Sequence, residues 1–108
     1  MKANRPFEER LDEIVRRIVA VAKPEKIILF GSAARGEMGA DSDVDLLVIK
    51  AGGFHRGRLT EEIYMRLFGV GQAVDIVIVT PDEVARYREN PALVICPALE
   101  EGKVVYAA

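Results

Sequence analysis

Residues 7–22 carry apolar side chains at helical spacing. Phe7, Leu11, Ile14, Ile18 and Ala22 step by four, three, four and four, and Val15 and Val19 widen the stripe. Glu8, Glu9, Asp12, Glu13, Arg16 and Arg17 fill the opposite face, acidic early and basic late, as the helix dipole favours. Pro24 ends the segment. Three β-rich runs follow, at residues 26–30, 44–50 and 73–79, the last being the most strongly β-forming stretch. Between the second and third, Gly52, Gly53 and Gly57 mark a loop; Thr60 is the expected cap of a helix with Ile63, Leu67 and Phe68 inward, ended by Gly69 and Gly71. Thr80-Pro81-Asp82-Glu83 is a complete helix start: a capping hydroxyl, a proline at the first turn and a glutamate that reaches back. Asn90-Pro91 restarts a helix to about Glu101, with Gly102 as the expected left-handed terminator. Residues 103–106 read as a final edge strand. With a turn or short helix after the first strand, the order α-β-β-α-β-α-α-β predicts the α/β (α+β) class, a small mixed β-sheet flanked by helices.

Length and composition narrow the function classes. The 108 residues fit one domain spanning 1–108, with no space for a second core. Half the residues are hydrophobic and 30% charged, the profile of a folded chain and not of a disordered one. The apolar runs are strand-sized, so no membrane span is expected, and the N-terminal region lacks a signal core. A lone Cys96 excludes an internal disulfide and suits a reducing, cytoplasmic setting. A net charge of −2 argues against unassisted duplex nucleic-acid binding.

Chemistry concentrates in Phe30-Gly31-Ser32-Ala33-Ala34-Arg35-Gly36 and Asp41-Ser42-Asp43-Val44-Asp45. Gly31 and Ser32 stand where a strand gives way to a turn, and backbone amides there suit a phosphate; an ordinary tight turn reads the same. No lysine follows the glycines, so this is not a Walker-type loop. Asp43 and Asp45, two apart at a strand mouth, put both carboxylates on one face. Repelling each other, they favour a cation, and Mg²⁺ takes one or two carboxylates with water and phosphate completing its shell. Taken alone, they also fit a surface pair at a turn. Asp75, inside an otherwise apolar strand, shifts the balance, because a carboxylate there calls for a partner or a metal.

Ten residues separate Ser32 from Asp43, then come Asp-x-Asp and a third aspartate in a later strand. This pattern resembles the minimal nucleotidyltransferase family of the DNA polymerase beta superfamily, including the MntA-like antitoxins of HEPN/MNT toxin–antitoxin modules. The resemblance implies a palm-like fold in which Asp43, Asp45 and Asp75 hold two Mg²⁺ ions and serve catalysis. It implies that Gly31 and Ser32, with Arg35 as an extra phosphate contact, bind the triphosphate of ATP. The implied reaction is transfer of AMP to a hydroxyl, with a tyrosine of a partner HEPN-domain ribonuclease toxin as acceptor. Other readings stay in view: an antitoxin acting by contact alone, or a small-molecule adenylyltransferase. A receiver-like phosphoacceptor fits poorly, since Gly-Ser and not acidic residues follows the first strand. With no acceptor-binding unit in the chain, the acceptor surface comes from a partner or from a second copy in a homo-oligomer. Lys50, His55, Arg56 and Arg58 read as a solvated basic loop, Cys96 as core, and Tyr64, Tyr87 and Tyr106 as packing or surface residues.

Overall fold

The computed structural model describes residues 6–36, 43–90, 93 and 95–108. Helix α1 (Phe7–Ala22) buries Ile14, Ile18 and Ala22, with the wider part of its stripe half-buried against the core. Lys23 ends it in the left-handed region (φ 48°), its N–H donating to the Val19 carbonyl just before Pro24. Strand β1 (Lys26–Phe30) runs antiparallel to both β2 (Val44–Ile49) and the C-terminal β4 (Lys103–Ala107). Strand β3 (Val74–Val79) pairs parallel to β2, giving the order β3-β2-β1-β4. A parallel neighbour needs a crossover, and α2 (Arg56–Leu67) supplies it. The small mixed sheet expected from the sequence is therefore present.

Alternation along the strands divides the core in two. Ile27, Leu29, Val44, Leu46, Val48 and Ile78 face α1 and α2. Ile28, Leu47, Ile49 and Val79 face α3 (Pro81–Tyr87) and α4 (Ile95–Glu101). Strand β2 is central and covered on both sides, with Val44, Leu46, Leu47 and Val48 at 0% exposure. Each such side chain contributes about 1.5–3 kcal/mol on burial, so β2 is the most firmly held element of the sheet. The capping box is complete: Thr80 Oγ1 accepts from the Glu83 N–H at 3.1 Å, and Glu83 Oε1 accepts from the Thr80 N–H at 2.9 Å. Among the described residues no helix is long and apolar enough to cross a membrane.

Several local expectations are corrected. α2 begins five residues earlier than the Thr60 cap implied: His55 is the N-cap, its Nδ1 accepting from the Arg58 N–H at 3.1 Å. Thr60 lies inside the helix, and its hydroxyl donates to the Arg56 carbonyl. Phe68 points outward at 88% exposure, because the helix ends at Leu67 and the backbone turns extended there. Gly102 is not left-handed; glycine is needed because a Cβ would meet the Ala98 carbonyl oxygen at 2.2 Å and Ile28 Cγ2 at 2.4 Å. The Pro91 helix start lies outside the described residues, and α4 is seen from Ile95.

Candidate active site

Two pairings in register assemble the site. The antiparallel pairing sets Phe30 opposite Asp45, and the parallel pairing sets Asp45 opposite Asp75. The end of β1, Asp45 and Asp75 thus form one row across three strands, although 45 and 75 are far apart in sequence. Partners in register point to the same side of a sheet, so both carboxylates emerge on the face that α3 and α4 cover only in part. Asp43 stands just before β2, exposed and two residues from Asp45.

Gly31 follows Phe30 directly and takes φ +74°, a conformation open to glycine at little cost. A Cβ on it would come within 2.3 Å of Asp45 Oδ2, so the turn backbone lies against that carboxylate. Residues Gly31–Ala33 form one 3₁₀ turn, with Ser32 half-buried at its middle. The leading N–H groups of such a turn have no acceptor inside it. The turn that carries them begins at Gly31, beside Asp45.

The charges are concentrated. Burial, then the negative charges of Asp75 and Asp43, then a side-chain hydrogen bond with Asp75, raise the Asp45 carboxyl above its ordinary 3.8. Without a cation, the cluster is under mutual repulsion. Among the described residues no group of three or more Asp, Glu, His or Cys side chains is placed to hold a metal ion without further ligands from outside the chain. The arrangement is an open half-site, with carboxylates on one side and turn amides on the other.

Residues 8–73, more than half of the chain, match the family profile of the nucleotidyltransferase domain. The chain belongs to that family. Its nucleotidyltransferase fold is shared with a toxin–antitoxin complex crystallised with AMP-PNP (TM-score 0.64, 20% identity, covering 95% of this chain and 75% of the other). It is shared also with an MntA-HpeT toxin–antitoxin complex carrying a tyrosine-to-alanine substitution (0.62, 20%, 96% and 75%). A third similar structure is a putative nucleotidyltransferase from Sulfolobus solfataricus (0.60, 18%, 99% and 88%). No curated protein sequence matches the chain.

The other candidates are placed as follows. In this nucleotidyltransferase domain Asp75 is exposed on an edge strand, not buried among apolar neighbours as its sequence context suggested. Its side of the strand lies at the uncovered part of the sheet. Arg35 lies just past the turn, and its Nη1 is 3.1 Å from Glu101 Oε1 of α4, both side chains being about half exposed. The basic loop lies at the other end of β2. Arg56 donates to both carboxylate oxygens of Glu83 at 2.9 and 3.0 Å, and the Lys50 ammonium sits 5.9 Å from the Phe54 ring. Cys96 is buried in α4. Glu101 was missed by sequence reasoning, since no local pattern ties residue 101 to the turn at 31–36.

Proposed function

We propose that this nucleotidyltransferase domain is a Mg²⁺-dependent enzyme that transfers AMP from ATP to a hydroxyl of a protein partner. The partner in this reading is a HEPN-domain toxin, the acceptor one of its tyrosines, and the domain its antitoxin, in the cytoplasm. The observation that carries the reading is the row Gly31–Asp45–Asp75, with Asp43 beside it: a phosphate-compatible turn pressed against carboxylates that repel one another. Family membership supports the transfer chemistry. The likeness to toxin–antitoxin complexes, one of them holding an ATP analogue, supports the partner and the nucleotide.

The donor set fits Mg²⁺. Its oxygen ligands are hard, they are crowded enough to raise Asp45, and an ion that keeps waters and substrate phosphate in its shell needs no closed protein cage. Asp43 and Asp45, with Asp75, would hold it; when bound, such ions neutralise the phosphates and stabilise the attacking and leaving oxygens. The chain's own contribution is positioning. Gly31 and Ser32 hold the β- and γ-phosphates through backbone N–H groups, and Arg35 adds a cation at the rim. Asp75, the most solvent-open carboxylate of the row, accepts the acceptor hydroxyl's proton. The hydroxyl oxygen then bonds to the α-phosphorus as the bond to the bridging oxygen breaks, and pyrophosphate departs with that electron pair.

The test is incubation of the domain with α-labelled ATP, Mg²⁺ and the candidate toxin. Label should pass to the toxin, and transfer should vanish in Asp43→Asn and Asp75→Asn variants that keep the wild-type circular dichroism. A wild type that neutralises the toxin without transferring label would establish contact alone as the mechanism.

A further inference from the structure

On the other side of the sheet from the aspartates, the C-terminal half of α2 presents Tyr64, Met65 and Phe68 at 41%, 78% and 88% exposure. Together they line a shallow hollow, and Met65 also borders a second one with Val21, Glu62 and Arg66. Side chains of this size each bring 150–250 Å² when fully accessible, so the patch amounts to roughly 400 Å². This is no frayed helix end. Arg17 of α1 reaches across and donates from Nη1 to the carbonyl oxygens of Arg66 (2.8 Å) and Phe68 (3.2 Å), while Nη2 pairs with Glu13. Two carbonyls at the helix end are thereby satisfied, and the backbone that carries Phe68 is tied to α1.

The polar flank identifies the occupant. Viewed down α2, Glu62 and Arg66 lie on one side of Met65 and Tyr64 on the other, as the 100° step per residue requires, with the exposed Phe68 just past the helix end. Neither Glu62 nor Arg66 makes an ion pair among the described residues. We infer that this face pairs with the same face of a second copy about a two-fold axis crossing α2 at Met65. Such an axis runs the helices antiparallel and sets like flank against like flank. On the charged flank Glu62 then meets Arg66 of the second copy, twice by symmetry. On the apolar flank Tyr64 and Phe68 of one copy meet Phe68 and Tyr64 of the other, with the two Met65 side chains between. The charges are self-complementary only in this antiparallel order, the signature of an isologous interface. The patch is about half of the roughly 800 Å² per partner in a standard interface, so its rim must supply the rest and the dimer is of modest affinity. The site row lies on the other sheet face and stays open in such a dimer.

Sedimentation equilibrium of the full chain, without nucleotide or partner, tests the inference. The wild type should dimerise with a micromolar dissociation constant, and Met65→Asp or Phe68→Asp should sediment as a monomer with unchanged circular dichroism. Glu62→Arg and Arg66→Glu should each weaken the dimer about tenfold or more, and the double variant should recover most of that loss. A monomeric wild type at hundreds of micromolar, or a double variant no better than the singles, overturns the inference. So does a patch variant that loses a heterologous partner while self-association is unchanged.

Discussion

Asp45 sits where its charge is least welcome, and this gives a test with a counter-intuitive sign. In the absence of metal, Asp45→Asn removes one of the repelling carboxylates and keeps the side chain's size. Neighbouring strands are about 4.8 Å apart, so facing carboxylates at ~5 Å repel by about 3 kcal/mol at an effective dielectric of 20 and about 0.8 kcal/mol in water. Asp75 and Asp43 are exposed, which favours the lower end, about 1 kcal/mol. For a domain of this size that is a rise of about 4 °C in Tm, in chelator. Mg²⁺ should reverse the order: at ten times its Kd it stabilises the wild type by about 1.4 kcal/mol, and the variant, short of a ligand, by much less. The pH dependence follows from the same shift. The folded-state value is raised, so the group's stabilising contribution is fully present below the ordinary 3.8 and is lost as pH rises through the folded value. The metal-free difference between variant and wild type should therefore grow in that window as pH rises and then level off. Calorimetric melts in chelator and across a Mg²⁺ titration measure all three. A variant that melts below the wild type in chelator, or gains as much from Mg²⁺, would refute the electrostatic account of the row.

Further outcomes are expected. Gly102→Ala should cost about 2–3 kcal/mol in urea unfolding, because its Cβ meets the Ala98 carbonyl and Ile28 with no side chain free to move aside. Thr80→Ala should cost about 1 kcal/mol by removing the cap of α3. The Glu83 carboxyl is lowered from 4.5, first by the Thr80 N–H and also by Arg56, so its stabilising contribution is present above 4.5 and lost as pH falls through the folded value. The stability gap between wild type and Glu83→Gln should close over that acid range. Glu101→Gln should change stability by less than about 0.5 kcal/mol, since its pair with Arg35 is half exposed. Equilibrium binding of ATP should separate the roles: Arg35→Gln weakens it and Glu101→Gln does not, whereas equal loss in both would make Arg35 a purely structural residue.

What was legible in the sequence, and what was not, follows the range of the interactions. The stripe of α1, the three hydrophobic strands and the Thr80–Glu83 box rest on contacts within a few residues, and the structure has them as expected. The aspartate pattern could be read because its spacing is carried along the chain, yet the row itself depends on two strand registers that no local feature specifies. Asp75 looked buried because its neighbours in sequence are apolar. Only the strand order makes it an edge residue. His55 displaced Thr60 as the cap because its Nδ1 can accept a backbone N–H as a hydroxyl can, a role that a search for Ser, Thr, Asp and Asn passes over. Gly102 was correctly singled out for the wrong reason, since the constraint comes from the Ala98 carbonyl of α4 together with Ile28 and Leu29 of β1, and not from its own φ.

The hydroxyl of Tyr64 accepts the Ile76 N–H at 2.9 Å, across the open side of β3. An uncovered edge strand of Val-Asp-Ile-Val-Ile-Val composition is the kind of segment that recruits strands from other molecules and grows into aggregates. Here a tyrosine occupies a central donor of that edge, and one residue away a carboxylate charges it. The acid that the proposed transfer asks for at position 75 and the need to keep an apolar edge from polymerising are thus met by the same side chain. Replacing it with a neutral residue removes a gatekeeper as well as a site residue, so the yield of such a variant reports on solubility as much as on catalysis.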